Sequence, residues 1–200
     1  MKSRIGMILV IAVFVASPIT AWLVYTGVID YKHEPGQGKN YGELVHPARP
    51  LDNFKMADEE GEQVSNKLFD GQWTLLEIAG QPCIDNCRKN IYKMRQVRLA
   101  LGKDAYRVQR MIVAEAADNL TTIMSDNPGT LLFSIIEATG PMLKKFPDYI
   151  EGDISSVSGR IYIIDPLGNL MMKYPKNVDP SKLLKDVRQL LKATWIRPKT

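Results

Sequence analysis

Residues 5–29 are apolar or weakly polar throughout, broken only by Ser17-Pro18, Thr20 and Thr26. A helix rises about 1.5 Å per residue, so this run is long enough to cross a hydrocarbon core of about 30 Å with some tilt. The apolar region of a cleaved leader is only about 7–15 residues, so the length predicts an uncleaved signal anchor over residues 1–29. Trp22 and Tyr25 suit the aromatic belt at its outer end. Lys2 and Arg4 precede the run, whereas Asp30, Lys32 and Glu34 follow it with no net positive charge. That asymmetry predicts a cytoplasmic N-terminus and places residues 30–200 across the membrane, which in a bacterium means the periplasm.

The pattern then changes. Residues 30–50 are rich in proline, glycine and charge and read as an extended tether. A domain over 51–200 follows, opening with a short strand at 51–56 that runs through Glu60-Gly61-Glu62 into a hairpin. The block 73–78 is apolar except for Thr74 and Glu77, as expected of a buried strand. Ile84, Cys87, Ile91, Met94 and Arg98/Leu101 recur at three- and four-residue steps and predict a helix. Strands are expected at 106–114 and 131–136, and short helices at 118–126 and 141–146. Residues 160–164 and 169–174 flank Asp165-Pro166-Leu167-Gly168 as a β-hairpin. Asp179-Pro180 then starts a helix whose apolar face is Leu183, Leu184, Val187, Leu190 and Leu191. The order hairpin, strand, helix, strand, helix, strand, hairpin, helix predicts an α/β thioredoxin-like fold with an N-terminal hairpin, preceded by one transmembrane helix.

Composition narrows the function classes. An apolar fraction of 45% supports a packed core rather than disorder. The formal net charge is +4, but Lys2 and Arg4 belong to the anchor, and the remainder is too weak and scattered for a nucleic-acid surface. Lys185, Arg188, Lys192, Arg197 and Lys199 read as a solvated helix face with a basic tail.

The chemistry lies in the two cysteines, Cys83 and Cys87, placed where the 73–78 strand hands over to the following helix. Reactive groups in open α/β sheets collect at the carboxyl ends of strands. A thiol at a helix N-terminus faces unpaired backbone N–H groups that favour the thiolate. Arg88 and Lys89 reinforce this and Asp85 opposes it. Cys83 is expected to be the exposed, attacking thiol. Cys87 shares the stripe of Ile91 and Met94 and is expected to be buried. On one helix face, side chains at i and i+4 lie about 5–6 Å apart at Cβ, so disulfide closure requires the first turn to loosen. The same pair of thiolates also suits a soft ion such as Cu(I), and a plain stabilising disulfide is the bland alternative.

The runs 54–61, Leu68-Phe69-Asp70-Gly71-Gln72-Trp73 and Cys83-Ile84-Asp85-Asn86-Cys87, with 161–168, resemble the Sco/SenC proteins over about 50–195. These are membrane-anchored thioredoxin-fold proteins with a C-x-x-x-C pair, which deliver copper to cytochrome c oxidase or reduce its copper-site cysteines. The resemblance implies thiol–disulfide exchange through Cys83 and Cys87, copper as the associated metal, and a cytochrome oxidase subunit as partner. Two positions depart from the family pattern. Arg88 stands where those proteins usually have proline, and 153–160 lacks the copper-binding histidine expected before the final hairpin. The only histidines, His33 and His46, precede the first strand expected in the core. Met171 and Met172 alternate along a strand and read as one core and one exposed residue. Glu115 and Asp118 follow the second strand as candidate proton carriers beside the thiols. The missing histidine favours exchange over a Cu(I) chaperone using both cysteines plus another ligand; a non-catalytic interaction protein of an oxidase-assembly complex is a third reading, favoured if Cys83→Ser and Cys87→Ser leave the phenotype untouched.

Overall fold

The computed structural model describes residues 2–26, 40–83, 86–115 and 120–194. They fall into two units, residues 1–38 and 39–200. Within the first, helix α1 covers Lys2–Tyr25, with Pro18 inside it. Its exposed side chains include Val10, Ile11, Phe14, Ile19 and Trp22. Counted over the described residues, no helix is long and apolar enough to cross a membrane. The anchor expected from the sequence is therefore not established by the structure.

The second unit is built on one sheet of strands β1 (Glu43–Pro50), β2 (Met56–Ala57), β3 (Gln63–Val64), β4 (Trp73–Ala79), β5 (Val108–Ala114), β6 (Thr130–Ser134), β7 (Ile161–Ile164) and β8 (Asn169–Lys173). Their spatial order is β1-β8-β7-β4-β5-β6-β2-β3. The centre, β4-β5-β6, is parallel, and β7 and β8 continue it antiparallel on one side. The β2-β3 hairpin closes the other side against β6. Helix α2 (Asn86–Ala100) connects β4 to β5, while α3 (Thr121–Ser125) precedes β6 and α4 (Gly140–Leu143) follows it. Helix α5 (Pro180–Ala193) ends the described chain, and Asp179 caps it by accepting from the Ser181 amide at 2.8 Å.

Each sheet face carries its own core. Cys87, Ile91, Met94 and Val97 of α2 and Leu183, Val187 and Leu191 of α5 pack on one face, over Leu75, Ala79 and Ile112. Phe54, Phe69, Met142, Leu143, Phe146 and Tyr162 fill the other, around Leu76 and Ile78. Strand β4 is thus covered on both faces, and all seven of its residues are buried.

The thioredoxin-like element order holds, but residues 43–50 do not belong to a tether. They form the edge strand β1, which pairs with β8 from Glu43↔Lys173 to Pro50↔Asn169 across a register shift. Proline is admissible there because an edge strand leaves one side of its backbone unpaired. What docks this strand is a buried carboxylate. Asp186 of α5 accepts from the amides of Tyr41 (2.9 Å) and Gly42 (2.9 Å) and from the Tyr174 hydroxyl (2.9 Å). A Cβ on Gly42 would lie 2.6 Å from the Tyr174 ring, so only glycine permits this approach.

Candidate functional site

Strand β4 ends at Ala79, and the chain turns through Gly80, Gln81 and Pro82 to reach Cys83. Cys83 and Cys87 are joined as a disulfide with Cα atoms 5.3 Å apart. The structure resolves the geometric conflict between helical spacing and bonding distance: Cys83 is not part of α2, so no helical turn has to open. Cys87 is 6% exposed and packs into the α2 core, whereas Cys83 is half-buried. Of the two residues, Cys83 is the less covered and Cys87 the more covered. Ile84, Asp85, Asp118 and His33 lie outside the described residues.

An open cleft of about 440 Å³ adjoins Cys87. One wall is Gly80, Pro82, Asn86 and Cys87, with Glu115 from the end of β5. The other is the 152–159 segment before β7, with Lys176 beside it. Glu115 thus stands where sequence placed it. The facing segment is held in place from several sides. Asp153 accepts from the Ser155 amide at 2.9 Å and begins a short 3-10 turn. The buried Tyr162 hydroxyl donates to the Val157 carbonyl at 2.9 Å, and burial pushes its pKa up, so it stays a donor. Ser158 comes close to the other wall, since a Cβ on Gly80 would meet its Oγ at 3.1 Å.

Beneath the cleft lies a pair that sequence reading passed over. Glu77 is fully buried in β4, on the sheet face that α2 covers, and its Oε2 accepts from Asn90 Nδ2 at 3.1 Å. The same amide donates to the Gly159 carbonyl at 2.9 Å, linking β4, α2 and the cleft wall. Burial raises the Glu77 pKa well above the usual carboxylate value, against smaller opposing effects from Asn90, Gly159, Lys93 and Lys176. Among the described residues, its Oε1 and the Asn90 Oδ1 have no hydrogen-bond partner. The signal available in sequence was the lone carboxylate in an otherwise apolar strand.

As a copper site, the cleft is lined by one member of the cysteine pair, Cys87, and by oxygen donors from Asp153, Ser155, Ser158 and Glu115. Soft Cu(I) prefers sulfur or imidazole. His46 sits on β1, separated from β4 by β8 and β7, or about 14 Å at the usual strand spacing. Met172 is buried and Met171 half-buried on β8, two strands from β4. Among the described residues, no group of three or more His, Cys, Asp or Glu side chains is placed to hold a metal. His46, Met171 and Met172 therefore lie on strands set apart from β4, and the side chains facing Cys87 across the cleft include those of Asp153, Ser155 and Ser158.

A second cleft of about 440 Å³ lies away from the cysteines, between α5 and the turn before β5. Its arginines are structural. Arg107 donates to the Leu191 carbonyl at 3.0 Å, and Arg188 to the Ala100 carbonyl at 2.9 Å, satisfying helix-end oxygens. Lys182 and Lys185 lie 5.4 and 5.6 Å from the centre of the Tyr41 ring. Arg197 and Lys199 lie outside the described residues.

Comparison with known proteins agrees with this architecture. The chain is similar to copper-bound yeast Sco1, at 18% identity and a TM-score of 0.60, over 73% of this chain and 90% of that one. It is similar to BsSco, described with a disulfide switch as a member of the Sco family of cytochrome c oxidase assembly proteins, at 14% identity and a TM-score of 0.56, over 74% and 96%. It also resembles a thiol:disulfide interchange protein from Bacteroides, at 15% identity and a TM-score of 0.54, over 72% and 90%. No curated protein matches the chain in sequence. The model of one family, described as the transmembrane-like, thioredoxin-like, C-terminal domain, matches residues 73–194, from the first residue of β4 to the end of α5. On that match the chain belongs to this thioredoxin-like family, and its fold is a divergent form of the Sco/SenC architecture.

Proposed function

We propose that this protein is a membrane-anchored thiol–disulfide exchange factor of Sco type, acting on the cysteines of a copper site during cytochrome c oxidase assembly. The observation that carries the reading is the Cys83–Cys87 bond just past the carboxyl end of β4, with an open cleft lined by Cys87. In the reducing direction, the Cys83 thiolate attacks a partner disulfide, forming a mixed disulfide and releasing one partner thiolate. Cys87 then attacks Cys83 Sγ, closes the intramolecular disulfide and releases the second partner thiolate. Two electrons pass to the partner, and a dithiol donor must reduce the pair again. Glu115, at the cleft wall, is the candidate to exchange the proton between Cys83 and solvent. The chain is organised as an anchor over 1–29, a connecting segment and a thioredoxin-like domain. The apolar or weakly polar 5–29 run supports the anchor, and the Lys2/Arg4 asymmetry supports a periplasmic domain.

A second reading takes Cu(I) as cargo, carried on the two reduced thiolates. Its support is that copper-bound yeast Sco1 has the same fold, and that two thiolates are soft donors. The oxygen-rich facing wall weighs against it.

One experiment separates the readings. The purified chain, reduced, is mixed with a Cu(I) chelator complex of moderate affinity and, separately, with a peptide disulfide. Exchange predicts stoichiometric oxidation of the pair by the peptide, and that Cys87→Ser accumulates a mixed disulfide on Cys83 while Cys83→Ser does not. A pair that withdraws Cu(I) from the chelator but leaves the peptide oxidised establishes the cargo reading instead.

A further inference from the structure

Helix α2 leads away from the disulfide carrying Arg88, Lys89, Lys93, Arg95 and Arg98, with no carboxylate between Asn86 and Ala100. Among the described residues, none of the five forms an ion pair. Arg98 is spent on structure, donating to the Val108 carbonyl at 2.7 Å. Arg88 and Lys89 occupy the first turn, where the helix dipole disfavours cations. The repulsion is felt below. Burial, with Arg98 and Arg95 adding to it, brings the Arg110 pKa down to about 10, and two of that side chain's nitrogens are without acceptors. A helix that breaks the local charge rule at a functional site is read as built for something it meets.

Its outer surface is not uniformly polar. Arg88, Tyr92, Arg95 and Leu99 follow one another at steps of four, three and four, so they form a single stripe. Tyr92 is 57% and Leu99 60% exposed. The stripe starts beside Cys87 and runs about 17 Å along the helix. We propose that this face is the docking surface for the protein that exchanges with Cys83 and Cys87, and that the docked segment is acidic and carries large apolar side chains. The inference rests on the exchange reading above and names its partner by chemistry: carboxylates for Arg88 and Arg95, apolar groups for Tyr92 and Leu99. A second copy of this chain is a poor occupant, because its own α2 brings the same unpaired cations.

The test uses the full chain in neutral detergent and two synthetic peptides with identical internal disulfides. One is flanked by Glu and Leu, and in the other every Glu is replaced by Lys. The rate of peptide reduction is expressed relative to each protein's rate with hydroxyethyl disulfide, a small uncharged reagent. The acidic peptide is expected to react at least tenfold faster at low salt, and the advantage should collapse at 0.5 M NaCl. Arg95→Glu should reverse the preference, and Tyr92→Ala should slow the acidic peptide alone. Equal rates for the two peptides, with hydroxyethyl disulfide still reduced, overturn the docking surface and leave the exchange reading standing. No reduction of any disulfide removes the exchange reading. The surface is then judged by binding of the fluorescent acidic peptide to the Cys83→Ser/Cys87→Ser chain, which Arg95→Glu must weaken at least tenfold. A dimer that depends on Arg95, found by sedimentation alongside equal peptide rates, assigns the face to a second copy and overturns the proposal.

Discussion

Glu77 is the residue whose chemistry fits its surroundings least well as an ion. A carboxylate with one oxygen unpartnered inside a strand covered on both faces loses its hydration with little in return. Burial pushes its pKa up and so favours the protonated carboxyl, and that carries a sign for stability. A group with a raised folded-state pKa binds its proton more tightly in the folded chain. Its contribution is full below the usual carboxyl value of 4.5 and is lost as pH climbs through the raised value. Glu77→Gln keeps the size and the acceptor for Asn90 but cannot ionise. The variant should therefore match the parent in thermal melts near pH 4 and melt several degrees higher near pH 8. Melting curves that stay parallel across that range would show that Glu77 carries no such linkage. The position was marked in the sequence, as a carboxylate inside an apolar run. Its partners were not, because Asn90 and Gly159 come from segments far apart in the chain.

At the scale of elements, the legible parts were those written in local periodicity. The α2 stripe through Cys87, Ile91 and Met94, the β7–β8 hairpin around 165–168, and the Asp179 cap all appear where their patterns put them. Strand β1 was hidden, since its proline content reads as linker and only Val45 is buried within it. The information that makes it a strand sits elsewhere, in Asp186 of α5 and in the lack of a side chain at Gly42. Asp186 accepts three well-formed hydrogen bonds while itself buried, so removing it leaves two amides and a phenol without their acceptor. Asp186→Ala should cost about 2–4 kcal/mol. In a domain of this size that lowers Tm by roughly 4–16 °C. Hydrogen exchange would locate the loss: the amides of β1 should open well before those of β4. If β1 stays as protected as in the parent, the clasp does not hold that strand.

Across the whole molecule, the two units differ in where their apolar side chains lie. Both hydrophobic cores of the second unit are made from residues 45–191. The first unit instead turns Val10, Ile11, Phe14, Ile19 and Trp22 outward. Such a surface is costly in water, at about 25 cal/mol per Å² of apolar area, and free of that cost in a bilayer. Disulfides persist on the oxidising side of a membrane, and the proposed anchoring would raise the local concentration of a membrane-bound partner. Deleting residues 2–29 should move the protein from an alkali-resistant membrane fraction to the soluble fraction, with the Tm of the thioredoxin-like domain unchanged. In intact spheroplasts, external protease should digest the full-length chain down to its N-terminal segment. A domain that resists protease until the membrane is broken would place Cys83 and Cys87 on the reducing side, where the resting disulfide would not survive.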